Sequence, residues 1–183
     1  MAANSEKEIS DPVAEFAPAS FAVGFDWKQG ESFVYGCVVF TILVAVVGVA
    51  AQVPYLALGS LVPLTIAYWH YPMIEKGLPQ LAADRSGLFV ERLGLIDWAA
   101  IQGFDLRKTS VRNIILVKLD IGLNRPVDQA VIRPHQVPFW KKVMMRNWKI
   151  NHGGDKNCVT VELHPLVGSP EEILSRLQTF RSN

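Results

Sequence analysis

The hydrophobic residues of this chain are concentrated in two long runs that almost touch each other. The first run, residues 32–51, contains no charged side chain, and a second apolar run extends over about residues 53–72. A helix of about 20 residues rises about 30 Å, which is the thickness of the hydrocarbon core of a bilayer. The runs therefore predict two transmembrane helices. Because only Gln52 and Pro54 mark the turn, the helices should be antiparallel and form a hairpin within residues 31–76.

Two other interpretations of these runs are weaker. A buried helical hairpin in a globular protein would not need two neighbouring charge-free runs of this length. A cleaved signal peptide would begin with a short basic segment, whereas about 30 mostly polar and acidic residues precede the first run. Pro63 lies inside the second run and predicts a kink, which a membrane helix tolerates.

Aromatic and basic residues flank the two runs as they do in membrane proteins. Aromatic side chains favour the membrane–water interface, and those near the ends of the runs are Trp27, Phe33, Tyr35, Tyr55, Tyr68, Trp69 and Tyr71. The turn contains no Lys or Arg, whereas Lys28 precedes the first run and Lys76, Arg85 and Arg92 follow the second. Since positive residues stay in the cytoplasm, this predicts a multi-pass protein of the inner (cytoplasmic) membrane with both termini cytoplasmic.

Residues 1–30 predict a flexible N-terminal tail. The part from Met1 to Ser20 is polar, acidic and rich in Ala, Ser and Pro, with no clear period, so we expect it to be mostly disordered. The hydrophobic residues between Phe16 and Trp27 allow two interpretations. They form either a short interfacial segment that leads into the bilayer or a plain linker.

Residues 79–183 predict a cytoplasmic domain of short strands. Strand-like runs separated by turn residues occur at 80–83, 88–90, 95–98, 113–120 and 158–163. The stretch from Ile121 to Gln136 contains Gly122, Pro126 and Pro134 and predicts a loop.

A helix over residues 170–181 is predicted to close this domain. Ser169 is a favourable N-cap, Pro170 suits the first turn and Glu172 completes a capping box. One apolar stripe follows, which could dock on a sheet, at Ile173, Leu174, Leu177 and Phe180. Short strands followed by one amphipathic helix indicate an α+β domain built on a small barrel or a bent sheet.

The first strands of this domain resemble those of a known family. The pattern Leu81-x-x-Asp84-x-x-Gly87-Leu88, followed by Gly94-x-Ile96-x-Trp98-x-x-Ile101, is similar to bacterial PH-like domains attached to a two-helix membrane hairpin. The resemblance covers roughly residues 34–180 and departs from the family at 121–150, where a long segment intervenes. It implies a PH-like small β-barrel or bent sheet capped by the C-terminal helix and anchored to a membrane. It implies no activity, because most members of such families have none assigned.

The intervening segment ends in a stretch, residues 137–150, that combines aromatic and basic side chains. On a helix this stretch would be amphipathic and could lie among anionic lipid headgroups. Its candidate surface residues are Phe139, Trp140, Lys141, Lys142, Arg146, Trp148 and Lys149. The same pattern fits a helix or a strand pair packed on the barrel with its charges in water. Nucleic acid is not an expected partner, since no recognised nucleic-acid module is present.

The sequence contains no recognisable catalytic or metal-binding motif. Its four histidines lack metal-ligand spacing, its two cysteines form no CxxC pair, and no phosphate loop, GxSxG or HExxH occurs. We therefore expect no enzyme activity and no cofactor. The sequence favours a membrane-anchored binding module that contacts lipids and a protein partner. The alternative is an accessory subunit of a larger membrane complex, and a membrane enzyme is less expected. Small residues offer helix-packing surfaces, including toward a second copy, at Gly36, Ala45, Gly48 and Gly59.

Overall fold

The computed structural model describes residues 20–111, 114–151 and 157–182. Within them, one helix is long and apolar enough, by length and composition, to cross a membrane: α1, Trp27–Ala50. Most of its apolar side chains are exposed, among them Val39, Val46 and Val49. The prediction of a long apolar helix here is confirmed. The predicted disorder of Met1 to Ser20 lies outside the described residues, apart from Ser20.

The second apolar run forms two helices where one was predicted. It contains α2, α3 and then one turn of 3₁₀ helix, at Pro54–Gly59, Leu61–His70 and Tyr71–Met73. The break has a covalent cause, because Pro63 has no N–H and its ring collides with the carbonyl group four residues earlier, at Gly59. The predicted helix over residues 53–72 is therefore divided at Ser60, whose hydroxyl donates to the carbonyl oxygen of Ala57 at 2.6 Å.

Helix α1 and the α2–α3 pair lie side by side and run in opposite directions. Near the turn, a Cβ atom placed on Gly48 would lie 2.5 Å from the backbone nitrogen of Ala57, so the close approach requires glycine. At the other end, the rings of Phe33 and His70 meet edge to face with their centroids 4.9 Å apart. Contacts at both ends therefore join the two apolar runs along their length.

Nine strands within the described residues form two antiparallel sheets. The first sheet contains, in order, β1 (Phe21–Val23), β2 (Leu81–Ala83), β3 (Leu88–Val90), β4 (Gly94–Ile96) and β7 (Val131–Arg133). The second contains, in order, β5 (Ile101–Val111), β6 (Ile114–Leu123), β9 (Asn157–Glu162) and β8 (Trp148–Asn151). The connections include two one-turn helices, and a longer helix follows the last strand: α4 (Val127–Ala130), α5 (Phe139–Lys142) and α6 (Pro170–Ser182).

The two sheets and α6 enclose a common hydrophobic core. Leu119 on β6 and Val161 on β9 are direct cross-strand partners, and neither has any exposed surface. Ile173 and Leu177 pack into the same core from α6, which confirms the predicted apolar stripe of that helix. The mixed α+β class is confirmed as well.

The described strands do not form the closed barrel that was one of the two predicted forms of the β domain. The chain leaves the first sheet at Asp97, whose carboxylate accepts a hydrogen bond from the N–H of Ala99 at 3.0 Å and starts a 3₁₀ turn at Trp98–Ala100. Strand β5 therefore begins a separate sheet instead of extending the first. The Trp98 indole N–H donates to the carbonyl oxygen of Asp84 at 2.8 Å, which ties this turn to the start of the β2–β3 hairpin.

The end of the predicted N-terminal tail belongs to the folded domain. Strand β1 pairs with β2, with Phe21 opposite Ala83, and Phe25 forms a bridge with Leu166. Both phenylalanines are buried in the core. Residues 20–25 are therefore neither an interfacial segment nor a linker. Their alternating apolar side chains have the period of two that is typical of a half-buried strand.

The loop predicted between Ile121 and Gln136 is wrong over most of its length. Strand β6 continues to Leu123, and α4 and β7 then follow within residues 127–133. Val127 and Ala130 are buried, so the apolar positions of α4 pack on the core and stabilise a turn of helix despite the neighbouring Pro126. Tertiary packing has overridden a local turn signal here.

The N-terminal cap of α6 provides a simple test of its stability. The hydroxyl of Ser169 accepts a hydrogen bond from the N–H of Glu172 at 3.1 Å, as predicted for a cap. Replacing Ser169 with alanine should lower the free energy of unfolding by about 1 kcal/mol, measured by denaturant unfolding of the full-length protein. Ser175→Ala, an exposed position within the same helix, is the control and should change it little. Equal effects of the two substitutions would contradict a capping role.

Candidate functional site

The stretch that follows β7 lies against the ends of the apolar helices. We call residues 137–145 the aromatic segment. The Tyr68 hydroxyl, at the end of α3, donates to the carbonyl oxygen of Trp140 at 2.8 Å, and the N–H of Met145 donates to the carbonyl oxygen of Trp69 at 2.9 Å. Lys141 forms an ion pair with Glu75, which follows the 3₁₀ turn. Three polar contacts therefore hold the aromatic segment beside the point where the apolar helices meet the domain.

The aromatic segment is held by its backbone, by Lys141 and by the buried side chain of Met144, and three of its large apolar side chains are exposed. Phe139 is 82% exposed, and Trp140 and Val143 are about half exposed. Lys142 is exposed beside them. A monomeric soluble protein rarely leaves clustered large apolar side chains in water without a function. This face is therefore a candidate contact surface.

The remaining predicted surface residues do not join this face. Trp148 on β8 is buried, and its indole N–H donates to the carbonyl oxygen of Glu91 at 2.6 Å. Because side chains alternate along a strand, Lys149 lies on the opposite face of the sheet from Trp148. The Arg146 guanidinium stacks over the Trp148 ring at 4.7 Å. The aromatic pattern of residues 137–150 thus belongs to a one-turn helix followed by a strand, and Trp148 is a core residue.

Other aromatic and basic side chains surround the same junction. Trp69 and Tyr71 are each more than 40% exposed at the end of α3. At the start of α1, the Trp27 ring has the ammonium groups of Lys28 and Lys76 at 6.0 and 4.1 Å from its centroid. Aromatic rings next to lysines at the ends of apolar helices are the arrangement that membrane–water interfaces favour.

A cavity of about 420 Å³ lies next to the aromatic segment, over the outer face of the first sheet. Its floor is formed by Phe89 on β3 and Leu95 on β4, which are direct cross-strand partners. Leu78, Pro79 and the chain from Arg133 to Pro138 form its sides. The volume lies in the range of cavities that hold small ligands or side chains.

Glycine at position 94 holds one wall of this cavity close to the sheet. The backbone of Gly94 has φ of +114°, and a Cβ atom there would lie 2.1 Å from the carbonyl oxygen of Arg133. The His135 ring packs edge to face on Phe89, with centroids 5.4 Å apart. These two contacts hold residues 133–135 close to the cavity floor formed by Phe89 and Leu95.

Charged side chains of both signs line the cavity. The Glu91 carboxylate pairs with Arg92 at 3.0 Å, and both side chains are almost completely buried. Burial raises the pKa of Glu91, although the charge and hydrogen bond of Arg92 act in the opposite direction. Burial also lowers the pKa of His135, and the positive charges of Lys141 and Arg92 lower it further.

Most of these charges already have partners. Lys141 is paired with Glu75, and Glu91 with Arg92. Asp84 accepts hydrogen bonds through one oxygen from the backbone of Ser86 and Gly87. Arg133, in contrast, forms no ion pair with any residue in the described ranges. Within the part of the chain that the structure describes, the cavity therefore presents the unpaired charge of Arg133 beside an apolar floor.

The sequence singled out Lys141, which lines the cavity, as a candidate surface residue, but it did not point to Glu91, Arg133 or His135 as parts of a site. Glu91 and the pair Arg133 and His135 come from two separate parts of the chain, and only the packing of β7 beside β4 brings them together. Gly94 was the one local sign of this packing, because a glycine within a strand often marks a position where another backbone segment approaches closely. Within the described part of the chain, no three His, Cys, Asp or Glu side chains are grouped closely enough to hold a metal ion.

No protein-family model, curated protein or solved structure matches this chain. The class that the structure itself defines is a mixed α+β protein with two antiparallel sheets, a C-terminal helix and one long apolar helix near the N-terminus.

Proposed function

We propose that this chain is a membrane-anchored, non-enzymatic binding module. Helix α1 and the α2–α3 pair cross the inner membrane as a hairpin, both termini are cytoplasmic, and the PH-like α+β domain lies against the headgroups. The observation that carries the proposal is the aromatic segment, which is hydrogen bonded to the end of α3 while Phe139, Trp140 and Val143 remain exposed.

The distribution of exposed side chains supports this arrangement. The middle of α1 exposes aliphatic residues such as Val46, which fit hydrocarbon. Exposed aromatic and basic residues lie where the domain begins, and Lys28, Lys76 and Lys142 would face anionic headgroups there. Arg92, which the sequence suggested as a flanking charge, is buried in its ion pair with Glu91 and does not face the headgroups in the folded domain.

Because the helices tether the domain to the membrane, a weak surface contact is enough to hold one of its faces against the headgroups. The domain is joined to α3 by a few residues, so its local concentration at the headgroups is high and modest affinity holds one face down. Each basic residue near an anionic surface contributes about 1 kcal/mol, and salt screens this attraction. The bound ligand or partner protein would then be recruited at the membrane surface.

A fluorescent label on the aromatic segment tests the proposal. In a background lacking Cys37 and Cys158, Phe139→Cys carries an environment-sensitive dye, and the labelled full-length chain is placed in anionic vesicles. We expect blue-shifted emission that is quenched by brominated lipids, because residue 139 lies at the headgroup–acyl boundary. Ile115→Cys, at another well-exposed hydrophobic position, is the control and should emit as in water.

Two outcomes would contradict the proposal in different ways. If carbonate washing releases the full-length chain from native membranes, the helices do not span the bilayer. If the chain stays in the pellet but the dyes at positions 139 and 115 emit alike, the protein is anchored but the aromatic segment does not contact lipid. A reporter fused after Asn183 should be active in its cytoplasmic form.

A further inference from the structure

We infer that the cavity over the first sheet binds an acidic peptide segment containing an aromatic residue, and that the chain's own residues 1–19 supply it. The cavity combines an apolar floor, made by Phe89 and Leu95, with the guanidinium of Arg133, which has no ion-pair partner among the described residues. An occupant that matches both features carries a hydrophobic side chain close to a carboxylate.

Residues 1–19 have this composition. They contain four acidic side chains and one lysine. Glu15 and Phe16 are adjacent, and Asp11 lies five residues before Phe16. An aromatic ring with a neighbouring carboxylate could therefore place the ring on the apolar floor while the carboxylate reaches a basic side chain.

The described chain begins at the edge of the same sheet face. Ser20 immediately precedes β1, in which Ala22 is opposite Ala82, which in turn is opposite Phe89 on the cavity floor. This row continues through Leu95 to Arg133 on β7. The row from Ala22 to Arg133 therefore crosses the whole outer face of the first sheet.

The preceding residues are long enough to cross this face. Strands lie about 4.8 Å apart, so the four spacings from β1 to β7 amount to about 19 Å. Extended chain covers about 3.3 Å per residue. Phe16 could thus reach the floor, two spacings away, and Asp11 could reach Arg133 at the far edge.

Two arginines without an ion-pair partner among the described residues lie along the route that residues 1–19 would take over the sheet. Arg85 lies on the turn between β2 and β3, next to the cavity residues Asp84 and Ser86, and is exposed. Neither Arg85 nor Arg133 has an ion-pair partner in the described ranges. Their guanidinium groups suit carboxylates, with which they form paired hydrogen bonds.

Peptide binding tests the inference without any membrane. A fluorescein-labelled peptide of residues 1–19 is titrated with detergent-solubilised protein that begins at Ser20, and binding is followed by anisotropy. We expect saturable binding that weakens as salt rises and a Kd about tenfold higher for Arg133→Gln, the loss expected for one charged hydrogen bond. Arg107→Gln, at an exposed arginine on β5, is the control and should leave the Kd unchanged. A peptide with Phe16→Ser should bind much more weakly.

A second measurement uses the intact chain, in case removal of residues 1–19 harms folding. A photo-crosslinking benzophenone amino acid replaces Phe16, and cross-links are mapped by mass spectrometry. Intramolecular cross-links to the cavity lining at residues 89, 95 or 137 support the inference. Cross-links to detergent or lipid, to a second copy, or to another surface of the domain would overturn it, as would absence of peptide binding by a folded protein. Because neither measurement depends on a bilayer, failure here leaves the proposed membrane anchoring untouched.

Discussion

Replacing Glu91 with alanine should lower the free energy of unfolding by about 3–5 kcal/mol, the range seen when one partner of a buried ion pair is removed. The Arg92 side chain is only 6% exposed, and its guanidinium would keep a single hydrogen bond, to the carbonyl oxygen of Met144 at 2.9 Å. The remaining positive charge would be buried without a counter-charge, and the wall of the cavity would lose its fixed position. Denaturant unfolding of the full-length protein measures the loss.

The matched control is an exposed pair of a basic side chain and a carboxylate. Lys108 on β5 and Glu171 on α6 form such a pair, and both side chains are more than half exposed. Lys108→Ala should cost less than about 0.5 kcal/mol through loss of the pair, because water screens it. If Glu91→Ala and Lys108→Ala destabilise the protein equally, the Glu91–Arg92 pair is not buried in solution.

The substitution Glu91→Gln distinguishes the effect of the negative charge of Glu91 from the effect of its size and hydrogen bonding. Glutamine keeps an oxygen that can accept from Arg92 and removes the titrating group. Since burial raises the pKa of Glu91 in the folded protein, the folded state holds its proton at pH values where the unfolded state has lost it. Protonation of Glu91 in the folded state therefore adds a contribution to stability that is greatest below its ordinary pKa and is lost as pH rises through the raised pKa. The stability difference between wild type and Glu91→Gln should change with pH in that window and be flat outside it.

Replacing Phe25 with alanine should destabilise the domain by about 3–5 kcal/mol, as expected for a buried phenylalanine. Phe25 is 7% exposed, belongs to the core cluster and bridges Leu166 in the chain that leads to α6. Its loss would leave a cavity where the entering chain, the first sheet and the end of the domain meet. Denaturant unfolding followed by tryptophan fluorescence measures the effect.

Phe139→Ala removes the same side chain from a surface position and serves as the control. Phe139 is 82% exposed, so its loss should change the free energy of unfolding by less than about 0.5 kcal/mol. Equal destabilisation by the two substitutions would mean that the residues before α1 lie outside the folded domain. Such a result would support the sequence-based prediction that these residues form a flexible tail.

Regular patterns made several elements predictable from the sequence. The charge-free run at residues 32–51 predicted a long apolar helix, and the stripe from Ile173 to Phe180 predicted the helix that closes the core. Alternation at residues 158–163 predicted a strand in the position of β9. In each case the period of the hydrophobic residues matches the geometry of one element, so no distant part of the chain is needed to interpret it.

Elements whose stability comes from distant partners were mispredicted. Residues 21–23 are a three-residue strand that exists because β2 offers an open edge, and α4 forms one helical turn because the core buries Val127 and Ala130. For the stretch at residues 137–150 the sequence left two interpretations open, an amphipathic helix and an element packed on the barrel, and pairing with β9 makes residues 148–150 a strand. Short segments have weak intrinsic preferences, so tertiary contacts decide their conformation.

The hydropathy pattern alone indicates where apolar surface must be buried or placed in lipid, since long runs of hydrophobic residues cannot remain in water at acceptable cost. Local capping and a single apolar stripe are likewise enough to predict the last helix. Strand pairing, in contrast, is what buries Trp148 and exposes Lys149, and it is what brings Glu91, Arg133 and His135 around one cavity. The reason is that register and sheet order depend on pairing between segments far apart in the chain, and no local pattern encodes the partner of an edge strand.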